Sequence, residues 1–344
     1  MFVFTRLPIK IVSCHLLCFI FLMSVPITAQ AQWYQHSFEV MGTQAHVEFW
    51  LESETSEQVA IKEVPLAARN IIDSVVAEMQ RIDQGMSPYK ADSELSKLNR
   101  LAAMRPVVIS PELFDLLKNA EKIAELSDGA FDITYASVGY QYDYRNKQKP
   151  SQAQIEQALP AINYRGIVLD QSNNSVRFNH PKIKIDLGGI AKGYAVKNCL
   201  ALLKAAGVKH GLISAGGDTG LLGDRRGRPW LVGIKHPRAE QKNAVHLPLA
   251  NEAISTSGDY ERYFVEDGTR YHHIINPKTG KSAWQVVSVS VIGQDPTYVD
   301  ALSTTIFVLG LERGMALINR LDDYEAIIID NQQTLHFSQG LQQN

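Results

Sequence analysis

The chain has 344 residues, 45% of them hydrophobic and 20% charged, and its 34 basic and 36 acidic side chains leave a formal net charge of −2. That composition excludes a disordered or fibrous chain, and the mild acidity offers no electrostatic footprint for nucleic acid. The length is enough to bury one large core or two smaller ones.

The first stretch differs from the rest. Arg6 and Lys10 precede an apolar run from Ile11 to Ile27, and Ala29-Gln30-Ala31 follows as a small-x-small site, the pattern of a secretory signal peptide cleaved after Ala31. Ser13, His15 and Ser24 weaken the run as a spanning helix, so an uncleaved anchor is the lesser alternative. Lipidation at Cys18 is also disfavoured, because Leu17 stands where a small residue is needed. Residues 32–344 are expected to form one domain. Of the three cysteines only Cys199 lies beyond the leader, so the domain holds no internal disulfide. Cys199 falls among apolar residues of an expected helix and reads as a buried, inert thiol.

From Trp33 to Leu51 the alternation of Phe38, Val40, Ala45, Val47 and Phe49 predicts strand, interrupted at Met41-Gly42-Thr43 by a bulge or a close ligand approach. Residues 66–84 carry Ile72, Val75, Met79 and Ile82 at helical spacing. Asp92-Ser93-Glu94 marks a second helix start, and Ser110 caps a third that stops near Gly129. Residues 133–165 read as an irregular insertion with a short helix at 151–158, the tyrosines of Tyr140-Gln141-Tyr142-Asp143-Tyr144 serving as exposed packing. A hairpin turns at Asn173, then Ile183–Ile185 predicts a strand entering the Gly188-Gly189 turn and a helix to Ala206. Strands are expected near 210–214, 230–234, 252–256, 270–275, 286–292 and 325–329, with helices at 298–309 and 312–320. Strands and helices without strict alternation predict an α+β fold with a mostly antiparallel sheet core flanked by helices.

The chemistry concentrates in a few segments. Asp186-Leu187-Gly188-Gly189-Ile190-Ala191-Lys192-Gly193 runs through a glycine turn into a helix, where backbone N–H groups, the helix dipole and the Lys192 charge suit a phosphate. It is neither a P-loop nor a dinucleotide fingerprint. Asp300 and Thr304 are four apart at a helix start, so carboxylate and hydroxyl share one face and can converge on a hard cation, unless Asp300 is only a helix cap. His272 and His273 on an alternating strand face opposite ways, leaving one as a candidate general base. Ser214-Ala215-Gly216-Gly217-Asp218 and Thr256-Ser257-Gly258-Asp259-Tyr260 are tight glycine turns with polar neighbours.

Taken in order with Met41-Gly42-Thr43, His273-Ile274-Ile275-Asn276-Pro277 and Asp300-Ala301-Leu302, these motifs resemble the FAD:protein FMN transferase (ApbE) family over about residues 36–330. The resemblance implies an ApbE-like, T-fold-related architecture. It also implies Mg²⁺, or Mn²⁺, held by the Gly189 carbonyl with Asp300 and Thr304. FAD as substrate would meet Met41, Tyr89, the Ala130-Phe131-Asp132 segment, Asp186, Lys192 and His273-Ile274. Lys192 on a phosphate and His273 as base would be the catalytic residues. Two departures stand out: Asn276 replaces the usual Asp, removing a charge beside His273, and Ile133 follows Asp132 where Pro is usual.

The implied reaction is attack by a Thr or Ser hydroxyl of another protein on the riboflavin-side phosphorus of FAD, leaving FMN attached and releasing AMP. The implied acceptors are periplasm-facing subunits of the Na⁺-pumping NADH:quinone reductase and the related Rnf complex, which fits export to the periplasm and peripheral contact with inner-membrane complexes. One alternative keeps the same site, an FAD pyrophosphatase releasing FMN and AMP; another is a non-catalytic periplasmic flavin-binding protein, against which the Asp300–Thr304 pair speaks. No Gly-x-Ser-x-Gly elbow or His-Glu-x-x-His motif supports an unrelated hydrolase.

Overall fold

The computed structural model describes residues 32–52, 64–239 and 241–342. The expected signal peptide, with Cys14 and Cys18, lies outside the described residues.

Eight strands form the main sheet: β1 (Gln32–Val40), β2 (Thr43–Leu51), β3 (Gly211–Ala215), β4 (Asp218–Leu222), β5 (Ala253–Gly258), β6 (Val286–Gly293), β7 (Tyr324–Asp330) and β8 (Leu335–Phe337). Their order across the sheet is their order along the chain, and every neighbouring pair is antiparallel. The expected antiparallel α+β core is therefore the architecture found. β1 and β2 pair in register from Gln32↔Leu51 to Val40↔Thr43. Met41 and Gly42 between them have φ of 53° and 71°, as a two-residue hairpin turn requires. The interruption expected there as a bulge is thus a turn, since the chain reverses on the two residues. β4 escapes the sequence pattern because Asp218 and Gly220 are poor strand residues.

Five longer helices cover the sheet: α1 (Leu66–Met86), α2 (Glu94–Leu101), α3 (Pro111–Leu126), α4 (Ala191–Ala205) and α5 (Pro296–Ile318). Ser93 and Ser110 cap α2 and α3, accepting the N–H groups of Ser96 and Leu113. α4 packs between α1 and α5 against β3 and β4, and α5 lies on β5 and β6. α5 is long and apolar enough to cross a membrane by composition, yet Val299, Ile306 and Phe307 are fully buried in the core it shares with β6 and β7. It breaks at Gly310, φ 76°, between the two helices expected from the sequence.

Two features position the site. Gly193 lets α4 touch α5: a Cβ there would stand 2.2 Å from the Pro296 carbonyl oxygen and 2.7 Å from Asp300 Cβ. The segment 183–185 is in no sheet, contrary to its strand expectation. The Asn99 side chain substitutes for a neighbouring strand, donating Nδ2–H to the Ile185 carbonyl and accepting the Ile185 N–H, both at 2.8 Å.

Candidate active site

A cleft of about 690 Å³ opens where the 186–192 turn, the N-terminal half of α5 and the 273–277 segment meet, a volume in the usual range for small-molecule sites. Met41, Tyr89, Ala130, Phe131, Asp132, Asp186, Gly189, Lys192, His273, Ile274 and Thr304 all line it. Of the site residues that the resemblance implies, only Asp300 is behind the wall, where it is 3% exposed.

Gly189 and Thr304 are 115 positions apart, yet a Cβ on Gly189 would be 3.3 Å from Thr304 Oγ1. Asp300 is not the helix cap. Asp295 takes that role, accepting the Thr297 N–H, which places Asp300 in the second turn, one turn before Thr304 and on its face. Asp300 Oδ2 accepts the Gly193 N–H at 2.9 Å, and Oδ1 is 3.9 Å from Lys192 Nζ. Ser257 Oγ joins Thr304 Oγ1 at 3.2 Å and Ser303 Oγ at 2.9 Å.

Lys192 pairs with Asp218, whose other oxygen accepts Ser255 Oγ–H at 2.5 Å. Burial opposes the Lys192 charge, but Asp218 and Asp300 outweigh it and raise the ammonium's pKa. Two buried carboxylates thus face one cation. Burial first, then Asp218, push the Asp300 carboxyl up to about 7. Excess buried negative charge beside a hydroxyl and a glycine backbone fits a small hard divalent cation, which takes oxygen ligands and keeps positions for water and phosphate. Among the described residues no group of three or more His, Cys, Asp or Glu forms a metal cage.

The glycine turn does less for an anion than its sequence suggests. The Gly188 N–H goes to Asp186 Oδ1 at 2.7 Å, those of Ile190 and Ala191 to the Leu187 carbonyl, and that of Gly193 to Asp300. These donors are taken by the turn's own Asp186 and Leu187 and by Asp300 of α5.

Of the tyrosines expected as exposed packing, Tyr140 is 40% exposed and Tyr142 is buried, and both, with Tyr144, line the cleft. Tyr135 donates to Asp186 Oδ1 at 3.1 Å, and the Tyr140 hydroxyl is shared between Asp186 Oδ2 at 3.1 Å and the Ile185 carbonyl at 3.0 Å. Burial, then the Asp186 charge, raise both hydroxyl pKa values, so both stay protonated donors. Tyr142 and Tyr144 stack at 5.9 Å and also line the cleft. Asp132 instead organises its own loop, accepting the Thr134 N–H and the Tyr164 N–H.

The two histidines separate as expected. His272 is buried, with Nε2 at 2.5 Å from the Ala283 carbonyl and its ring edge-on to Phe307. His273 faces the cleft, and its Nδ1 is shielded without a hydrogen-bond partner among the described residues. Burial, then the Arg262 charge, hold its pKa down to about 3, so the ring is neutral and, with no anion bound, a weak base. Asn276 turns its Oδ1 to the Lys278 N–H at 2.9 Å, a turn-forming bond that Asp makes equally well. Arg262, Tyr135, Tyr140 and Ser257 were not singled out as site residues from sequence; Arg262 sits beyond a glycine turn with no motif of its own.

Residues 41–328 match the model of the ApbE family. A FAD:protein FMN transferase of Vibrio cholerae serotype O1 is 33% identical over 244 residues, 70% of this chain and 73% of that protein. One from Treponema pallidum is 32% identical over 288 residues, 78% of this chain and 80% of that one. Among solved structures, the ApbE protein from Thermotoga maritima superposes with a TM-score of 0.80 at 32% identity, covering 91% of this chain and 99% of its own. The flavin transferase ApbE from Vibrio cholerae does so with a TM-score of 0.78 at 26% identity, over 91% and 99%.

Proposed function

The chain belongs to the ApbE family, and from that premise we propose that it is an FAD:protein FMN transferase, moving FMN from FAD to a Thr or Ser hydroxyl of an acceptor protein and releasing AMP. One observation carries this reading: Gly189 and Thr304 meet in the cleft with the under-compensated Asp300 carboxylate directly behind them.

Mg²⁺ would be held by the Gly189 carbonyl, Asp300 and Thr304, and when bound would supply positive charge to the phosphate oxygens. The chain's own groups do the rest. Lys192 keeps the Asp218–Asp300 pair partly balanced. The aromatic wall of Phe131, Tyr142 and Tyr144 with Met41 offers the flavin an apolar surface. Asp186, fixed by two tyrosines and the Gly188 N–H, presents an oriented acceptor. As the acceptor oxygen bonds to the riboflavin-side phosphorus and the bond to the AMP oxygen breaks, neutral His273 takes the hydroxyl proton. The diphosphate's negative charge favours protonated His273 and so offsets its low pKa.

The proposal includes export to the periplasm, supported by the charged, apolar and small-residue pattern of residues 1–31, and acceptors of the membrane redox complexes that the family resemblance implies. The test is incubation of the purified protein with FAD, MgCl₂ and an acceptor domain. In-gel flavin fluorescence on the acceptor and a mass gain of one FMN phosphodiester are expected. Free FMN and AMP with an unlabelled acceptor would mean a pyrophosphatase, and intact bound FAD a flavin carrier.

A further inference from the structure

Three basic side chains line the cleft: Lys90, Lys192 and Arg262. Lys90 is paired with Asp83 at 2.6 Å and Lys192 with Asp218. Arg262 has no carboxylate within ion-pair distance among the described residues; beside its guanidinium stands the Tyr89 hydroxyl, on a residue 80% exposed at the rim. The Arg262 carbonyl accepts the His273 N–H at 3.1 Å. Arg262 precedes, and His273 follows, the two strands Tyr263–Glu266 and Thr269–His272, which pair antiparallel. Phe264, 3% exposed and stacked on Tyr271 at 5.3 Å, anchors this hairpin. The hairpin therefore fixes the unpaired cation next to the candidate base.

We propose that Arg262 is a catalytic residue whose guanidinium binds non-bridging oxygens of the FAD diphosphate, while the Lys192 charge stays with Asp218 and Asp300. The inference rests on FAD being the substrate. Its physical basis is a difference in what each cation must give up. Lys192 already faces two buried carboxylates, so much of its charge is spent on them before any phosphate arrives. Arg262 breaks no ion pair, and its planar fork matches two oxygens at once. Its position beside His273 also puts the positive charge where negative charge is held during transfer.

The test uses the whole protein with Mg²⁺ and compares Arg262→Gln and Arg262→Lys with the wild type. Calorimetry measures affinity for FAD, for ADP, which carries a diphosphate without flavin, and for riboflavin, which carries flavin without phosphate. Arg262→Gln is expected to weaken FAD and ADP by roughly ten- to a hundredfold and leave riboflavin unchanged. Arg262→Lys should recover part of the lost FAD affinity, as a point charge without the fork does. Unchanged FAD and ADP affinities in Arg262→Gln would overturn the inference, as would an equal loss for riboflavin. Failure of the wild type itself to bind FAD would instead sink the substrate reading and the inference with it.

Discussion

The surroundings of Asp300 leave it short of positive charge. Against the neighbouring Asp218 it has only one backbone N–H and a lysine that Asp218 shares. Replacing it by Ala removes the excess charge and a ligand position but leaves the aromatic walls intact. Mg²⁺-dependent FMN transfer by Asp300→Ala should fall by at least about a hundredfold while most FAD affinity remains; full transfer by this variant would remove the site assignment. His273 gives a pH-linked prediction. Its folded pKa, about 3, lies below the ordinary histidine value near 6.5. In that window the unfolded chain binds the proton and the folded protein does not, so this group's contribution to stability falls as pH drops below about 6.5. Asp300 works in the opposite sense, its raised carboxyl favouring the folded state as pH falls towards 4, so the comparison must be with His273→Gln. Between pH 7 and 5 the wild type without ligands should lose about 1–2 kcal/mol more than that variant in urea unfolding. Parallel pH curves for the two proteins would show that the ring titrates like a free imidazole.

At the scale of elements, the site depends on how closely two helices approach. A Cβ at Gly193 meets the backbone oxygen of Pro296, which cannot rotate away as a side-chain tip could. Gly193→Ala should therefore part α4 from α5, costing about 1–3 kcal/mol by overpacking and separating Gly189 from Thr304. Denaturant unfolding and transfer activity should both fall, whereas an unaffected variant would show that the contact is not needed. The starts of both helices were legible, since Lys192 follows a glycine turn and Asp300 and Thr304 have helical spacing. The support beneath them was not. Asn99 holds Ile185 from 86 positions away, and no local pattern marks an asparagine as a substitute strand. The tyrosines at 140–144 escape local spacing for the same reason: Tyr140 reaches Asp186, and Tyr142 and Tyr144 donate to the distant Gly280 and His272 carbonyls.

For the whole molecule, the cleft lies on the seam between two core clusters. Ile190 and Ala191 belong to the cluster containing α1, α3 and β2, whereas Leu302 and Ile274 belong to the one beneath α5. Trp33 and Trp230 sit in a third cluster, with Trp50 edge-on to Trp33 at 5.5 Å. The continuous eight-stranded sheet joins all three, so they are expected to unfold together. Tryptophan fluorescence and FAD binding should then be lost at the same urea concentration. FAD binding lost well before the tryptophan signal would mean that the α4–α5 seam opens as a separate unit.

The sequence by itself determined the mixed, antiparallel class, most element positions and the residue types that line the candidate site, because these follow from side-chain periodicity, caps and short motifs that act over a few positions. Tertiary structure decided which charges were available. Pairing Lys192 with Asp218, and leaving Arg262 without a carboxylate among the described residues, depend on atoms brought together from distant segments by the sheet order and the Gly193 contact. Coulombic pairing acts through space, and nothing in linear spacing records which of two basic side chains a buried carboxylate will hold.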